Sequence, residues 1–287
     1  MKKLSFIFGN AKLSNSIATF SLPAGWTCPF ARECLAKADR ITGCVTDGPY
    51  CRYRCFAATQ EWYPTVKKTR WGNFELLQET GSLEEMANLI QRSLPFGVNL
   101  VRMHVSGDFF SERYFLAWLN VALNNPLTIF YGYTKALLFW IKYKKEMPSN
   151  FRLTASYGGT HDSLISKHRL KYSVVVFSIE EAQRKRLELD HDDSHAIRYE
   201  KPFALLLHGT QPAKTDAARA WYWLYKAGHG YSEEKKARQM ERPTPIRVPP
   251  KGVSFVVPGL CHIALAPYRG KVWSFGEKSL TNSVNVV

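Results

Sequence analysis

Cysteine is the residue type whose spacing in this chain points most directly to chemistry. Five of the six cysteines fall in one short stretch, as Cys28, Cys34, Cys44, Cys51 and Cys55. Two pairs, Cys28-x5-Cys34 and Cys51-x3-Cys55, are short enough for both sulfurs of each pair to reach one metal centre. Between them Thr46-Asp47-Gly48-Pro49 forms a turn that can bring the pairs together. Arg32, Lys37, Arg40, Arg52 and Arg54 flank the cysteines. Such cations lower thiol pKa values and offset a negatively charged thiolate cluster. Structural zinc sites favour short C-x2-4-C knuckles, whereas an iron–sulfur cage is larger and tolerates irregular spacing. The spacing therefore points to a [4Fe–4S] cluster on Cys28, Cys34, Cys51 and Cys55, with zinc as the alternative. A lone cysteine is ordinarily a small buried hydrophobe, the reading that suits Cys44 and Cys261. The C-x3-C-x2-C pattern of radical S-adenosylmethionine enzymes starts at Cys51 and Cys55 but meets Ala58 at its third position. Four cysteine ligands would close the cage and leave no open iron for a methionine cofactor.

The elements that must position these groups follow from periodicity. Strand-like runs fall at Asn99–Val105, Leu127–Tyr133, Phe151–Ser156, Ser173–Ser178 and Phe203–His208, several of them apolar without alternation, as in strands buried on both faces. Helical patterns lie between them, at Ser111–Leu123, Ala136–Lys145 and Ile179–Leu189, and Asp216–Ala227 follows the last strand. Upstream, the capping box Ser82-Leu83-Glu84-Glu85 opens a helix over Leu83–Ser93. This alternation predicts an α/β fold: a complete or partial (β/α) barrel, TIM-barrel-like, carrying an N-terminal cysteine-rich metal-binding segment over residues 26–60. A doubly wound open sheet is the alternative. One domain is expected over 1–240, with a C-terminal extension over 241–287 packed on it, after the proline-rich connector Glu241–Pro250. Val253–Val257 reads as a short strand in that extension.

In either architecture the chemistry belongs at the strand ends. Those ends read Ser106-Gly107-Asp108, Tyr133-Thr134-Lys135, Ser156-Tyr157-Gly158-Gly159, Ser178-Ile179-Glu180 and His208-Gly209-Thr210. Candidate catalytic residues are Asp108, Thr134, Lys135 and Ser156, with His104 joining them if it shares a strand face with Arg102 and Ser106. Ordinary turn chemistry and a core histidine are the competing readings. Asp190-His191-Asp192-Asp193-Ser194-His195 could hold divalent ions, which would make the chain a metal-dependent nuclease through Asp190, Asp192 and Asp193, or it could be a helix-capping loop.

Lys plus Arg exceed Asp plus Glu by 15. The excess clusters at Lys67–Arg70, Lys142–Lys145, Arg184–Arg186 and Lys235–Arg238 and favours a polyanionic partner, nucleic acid (DNA or RNA) first. Solvated helix faces are the plainer reading. Aromatics interleave with cations at Arg52-Tyr53-Arg54, Trp62-Tyr63, Arg70-Trp71 and Trp140–Tyr143, as stacking on bases would use and core packing would also explain. At least one ring of Trp221-Tyr222-Trp223 must point outward from its helix. Hydrophobic residues at 45% and aromatics at 14% exclude a disordered chain. The apolar stretch after Met1-Lys2-Lys3 runs only from Leu4 to Phe8, too short for a secretory signal, so a cytoplasmic protein without membrane contact is expected.

Several long motifs resemble the phage "gene product 88" domain family. They are Ser21-Leu-Pro-Ala-Gly-Trp-Thr-Cys-Pro-Phe-Ala31, Asp47-Gly48, Cys51-Arg-Tyr-Arg-Cys-Phe-Ala57, Tyr63-Pro64, Arg102-Met-His-Val-Ser-Gly-Asp-Phe-Phe110, Tyr131-Gly-Tyr-Thr-Lys135, Thr154-Ala-Ser-Tyr157 and Asp190-His-Asp-Asp-Ser-His195. That family looks distantly similar to radical S-adenosylmethionine barrels. The resemblance implies a barrel with an iron–sulfur cluster, and places Ser106-Gly107-Asp108 where those enzymes use Gly-Gly-Glu to hold the methionine amino group. Ser106, Gly107 and Asp108 are thus the candidate cofactor-binding residues for S-adenosylmethionine. The expected function is redox or radical chemistry on nucleic acid or nucleotides, with a non-enzymatic nucleic-acid-binding protein as the alternative.

Overall fold

The alternating pattern folds as its periodicity demands, into parallel strands joined by helices. The computed structural model describes residues 2–198 and 201–229. In chain order the elements are β1 (Ile7–Phe8), β2 (Ala18–Ser21), β3 (Ala36–Ala38), β4 (Val45–Asp47), α1 (Phe56–Gln60), α2 (Pro64–Gln78), α3 (Leu83–Ser93), β5 (Leu100–Ser106), α4 (Glu112–Asn124), β6 (Ile129–Thr134), α5 (Leu137–Lys142), β7 (Phe151–Ser156), α6 (Ser163–Lys167), β8 (Tyr172–Val176), α7 (Ile179–Arg184), β9 (Glu188–Leu189), α8 (Ser194–Arg198), β10 (Phe203–Leu206) and α9 (Asp216–Lys226). Ser82, Ser111, Ser178 and Thr215 start α3, α4, α7 and α9 by accepting from the backbone N–H three residues on. Among the described residues no helix is long and apolar enough to cross a membrane.

Eight strands form one sheet in the order β1-β2-β5-β6-β7-β8-β10-β9. β1 runs antiparallel to β2, and every other neighbouring pair is parallel. The carboxyl ends of β2, β5, β6, β7, β8 and β10 therefore lie along one side of the sheet. β3 and β4 make a separate antiparallel hairpin between the two cysteine pairs.

The sheet does not close: β1 and β9 are its edges among the described residues, so a closed barrel is not formed. One face packs against a large apolar core that includes Phe20, Met103, Phe115, Trp118, Phe130 and Leu153. The opposite face is plugged by Leu13, Ile17 and Ala196 of α8 against Tyr131 and Phe203. Beneath that plug lies a buried ion cluster. Asp193 pairs with Arg102 and, at 2.6 Å, with Lys12, while Lys12 also reaches Asp190 at 2.8 Å. Tyr133 donates to Asp193 at 3.0 Å. Burial alone would raise the Asp193 carboxyl, but the Arg102 and Lys12 charges overcome it and hold the group at about 2.

The expected extension 241–287, with Val253–Val257 and Cys261, lies outside the described residues, as does the basic run Lys235–Arg238.

Candidate metal centre

The cysteine segment lies across the carboxyl ends of the parallel strands, fixed there by backbone contacts. Asp108 N–H donates to the Thr27 carbonyl at 3.2 Å, and Arg32 and Glu33 N–H groups both donate to the Gly158 carbonyl, at 3.0 and 2.9 Å. Arg54 N–H donates to Gln211 Oε1 at 2.7 Å, and Gln211 Nε2 donates back to the Arg54 carbonyl at 3.1 Å. The segment is thereby tied to the strand ends of β5, β7 and β10. Gly107 permits the approach at β5. Its φ is +86°, and a Cβ there would sit 2.5 Å from Thr27 Oγ1 and 2.7 Å from Leu22 Cβ.

These ties bring four thiols into one neighbourhood. Cys28, Cys34, Cys51 and Cys55 are partly buried, whereas Cys44 is exposed just before β4. Burial first, then the charges of Asp108, Cys55 and Cys34, push the Cys28 thiol well up. Burial and Cys34 raise Cys55 to about 11. Burial, Asp47 and Cys34 likewise raise Cys51 to about 11. Each of the four is thus in electrostatic reach of others in the set. Among the described residues, no group of three or more His, Cys, Asp or Glu is placed so that it could hold a metal ion.

The flanking cations act less directly than their sequence positions imply. Arg54 is spent in a two-pronged pair with Asp47, at 2.8 and 2.6 Å. Arg32 lies over the Tyr50 ring and Arg52 over Phe177. Burial therefore decides the thiol shifts, upward. Arg54 lowers Cys51 and Arg70 lowers Cys55 only in part, and the thiols in turn act on Lys135, just past the end of β6. Burial lowers its ammonium, and Cys34, Asp108, Asp162 and Cys28 more than reverse this, so it is held above its ordinary value. Lys135 Nζ donates to Ser156 Oγ at 2.6 Å.

Asp108, Thr134, Lys135 and Ser156 do come together here. Asp108 accepts from Thr134 Oγ1 at 2.6 Å, from Lys135 N–H at 2.7 Å and from Phe109 N–H at 2.7 Å. Those bonds clamp the end of β5 to the end of β6. Burial raises the carboxyl, against the bonds it accepts. Ser106 is different: its hydroxyl donates to the Leu22 carbonyl at 2.7 Å, joining β5 to β2.

His104 does not join the site. Its φ of +62° breaks the alternation of β5, and the five residues of β5 from Arg102 to Ser106 oppose only the three from Thr19 to Ser21 of β2. Arg102 consequently faces the ion cluster, while His104 turns into the aromatic core, with Nε2 2.9 Å from Tyr114 Oη and its ring against Phe109. Burial, then the Arg102 charge, lowers His104 to about 3; burial lowers His208, tilted against the Phe56 ring, to about 4. The unfolded chain binds these protons at about pH 6.5. Both depressed groups therefore stabilise the fold above that pH, and the contribution drains away as pH falls from about 6.5 towards 4. His104→Asn, which tolerates positive φ, flattens this part of a stability–pH curve followed by thermal unfolding; a curve as steep as the parent's would contradict the buried neutral imidazole.

The Asp190–His195 cluster serves the fold. Asp190 accepts from Asp193 N–H at 2.8 Å and His195 N–H at 3.0 Å, Asp193 is enclosed by Arg102 and Lys12, and Asp192 accepts from Ser194 N–H at 3.1 Å. The carboxylates that a nuclease would offer to metal ions are occupied by cations and backbone amides.

Two site neighbours escape a reading by spacing. Arg70 belongs to the basic run 67–70, yet it is buried, donating to the Ala57 carbonyl at 2.6 Å and pairing with Glu61 at 3.2 Å, and its charge acts on Cys55. Gln211 carries no sequence signal beyond its place after β10. No curated protein and no solved structure matches the chain. A family does: residues 2–223, well over half of the chain, match the family described as Gene product 88, and the chain belongs to it.

Proposed function

We propose that the protein carries a [4Fe–4S] cluster on Cys28, Cys34, Cys51 and Cys55 and uses it for redox or radical chemistry on nucleic acid or nucleotides. The observation that carries this reading is the convergence of four partly buried thiols, each in electrostatic reach of others in the set, on the carboxyl ends of the parallel strands. Such a donor set resists ionising alone, and a multivalent iron centre is the kind of group that stabilises four thiolates at once. The irregular x5 and x3 sequence spacing of the two pairs suits a cage better than one zinc. When bound, the cluster supplies one-electron transfer. Lys135 holds its ammonium beside the thiolates, steadied by Ser156, and offsets their charge. Asp108 fixes the backbone from which Lys135 projects. The formal charge of +15 favours a polyanionic substrate.

The test is anaerobic purification followed by the visible spectrum and the iron, sulfide and zinc content of one sample. A broad band at about 400 nm with about four irons per chain is expected. With four cysteine ligands, added S-adenosylmethionine leaves that band unchanged. One zinc and no colour would overturn the cluster and leave a structural clip on a nucleic-acid-binding protein.

A further inference from the structure

Away from the thiols, a groove of about 570 Å³ runs along one side of α2, a volume within the range of small-ligand sites. Its cations are Lys3, Arg40, Lys67 and Lys68, against the single carboxylate of Glu75. Arg40 pairs with Glu75, and Lys67 donates to the Ile41 carbonyl at 2.9 Å. Lys3 and Lys68 are exposed and have no ion-pair partner among the described residues. The aromatic wall is Trp71, whose ring lies 5.8 Å from that of Trp26, with Arg40 over its face at 4.8 Å. The buried Trp71 indole N–H has no hydrogen-bond partner among the described residues.

Gly72 makes the groove more than a charged helix face. It sits inside α2, where glycine weakens a helix relative to alanine. Its backbone requires no glycine, since φ is not positive, and a Cβ there would meet nothing within 4 Å. Packing gives no reason for a bare position. Room for an occupant does, because Gly72 lies in the lining next to Trp71 and one turn from Lys68.

We infer that this groove binds single-stranded nucleic acid, with the phosphates on Lys3 and Lys68 and a base against Trp71 over Gly72. The inference rests on the proposed nucleic-acid partner and gives it a location. Cations tracking a backbone beside an aromatic ring are the usual apparatus for single strands, and stacking tolerates any base. A duplex keeps its bases paired and offers Trp71 no free face. Trp26, two residues before Cys28, packs its ring against Trp71 and so ties the groove wall to the thiol segment.

The experiment uses the full chain, purified anaerobically, with a fluorescent oligothymidylate of about 15 nucleotides followed by anisotropy from about 50 mM salt upward. Gly72→Gln fills the groove with a better helix former; it is expected to keep or raise the melting temperature while weakening binding at least about five-fold. Lys3→Gln with Lys68→Gln is expected to weaken binding at least about ten-fold and to flatten the salt slope by about 0.7 for each cation removed. Lys144→Gln with Lys145→Gln, the same charge change elsewhere, stays within about two-fold of wild type. Groove variants that bind like wild type would overturn the groove while leaving the nucleic-acid partner standing. Equal affinity for the matching duplex would overturn the stacking role of Trp71. A wild-type protein that ignores the probe at low salt would remove the nucleic-acid reading itself.

Discussion

Cys51→Ser is expected to bleach the protein, cut its iron content by more than half and open the 26–60 segment to protease. Cys28→Ser, Cys34→Ser and Cys55→Ser should act alike, because a cage loses its hold when one thiolate goes and the free energy of metal binding is also folding free energy. Cys44→Ser provides the contrast. Cys44 is exposed and lies on the far side of the β3–β4 hairpin from the ends that carry the pairs, so iron and melting temperature should match wild type. The variants should still fold. The segment keeps its backbone ties to Gly158 and to Gln211, and the sheet has its own apolar core. Loss should therefore appear as local opening: protease cuts within 26–60 while the rest of the domain stays intact. Full iron in any of the four variants would remove that cysteine from the ligand set.

The second large effect is on stability and belongs to the opposite face of the sheet. Asp193→Asn keeps the shape of the side chain and tolerates the φ of +65° at this position, but removes the charge shared by Arg102 and Lys12. Leaving buried cations short of a partner costs about 3–5 kcal/mol, which in a domain of this size lowers the melting temperature by roughly 10 °C. Iron content should not change, since the cluster of charges lies under the α8 plug and not at the strand ends. The same pair fixes a pH dependence. Asp193 is held below its unfolded value, so its contribution is complete above about pH 4 and is lost as pH falls towards 2. Replacing Arg102 by Leu in the Asp193→Asn background should recover part of the loss, because an apolar side chain is less costly there than an unpaired guanidinium. A melting temperature for Asp193→Asn equal to wild type would mean that the ion cluster is not holding the plug.

Much of this architecture is legible in the sequence because its strands are buried on both faces. The runs that became β5, β6, β7, β8 and β10 carry no competing helical period, and Ser82 and Ser111 mark helix starts by side chains that do cap them. The strand-end residues Asp108, Thr134, Lys135 and Ser156 were readable for the same reason, since parallel neighbours align their carboxyl ends. What sequence hides is whatever depends on a local break or on distance. β2 is four residues long and offers no period, although it begins the parallel array. α2 lacks an apolar stripe, with Gly72 and two lysines interrupting Val66, Phe74 and Leu77, and the features that obscure it as a helix are those that make its groove. His104 left the strand face because one left-handed residue shifts the alternation, a change of φ that composition does not record. The barrel does not close because β1 and β9, two residues each, end the sheet without pairing to each other among the described residues. Arg70 sits in a run that reads as a surface charge patch, but it is buried beside Glu61, nine residues earlier.

The central claim is that four named thiols hold one iron–sulfur cage at the carboxyl ends of the sheet. Anomalous diffraction at the iron edge, from crystals grown without oxygen, tests it most directly. The account predicts a single strong peak enclosed by the sulfurs of Cys28, Cys34, Cys51 and Cys55, with none at the Asp190–His195 loop. Iron bound elsewhere, or a peak at the zinc edge alone between those sulfurs, would contradict it.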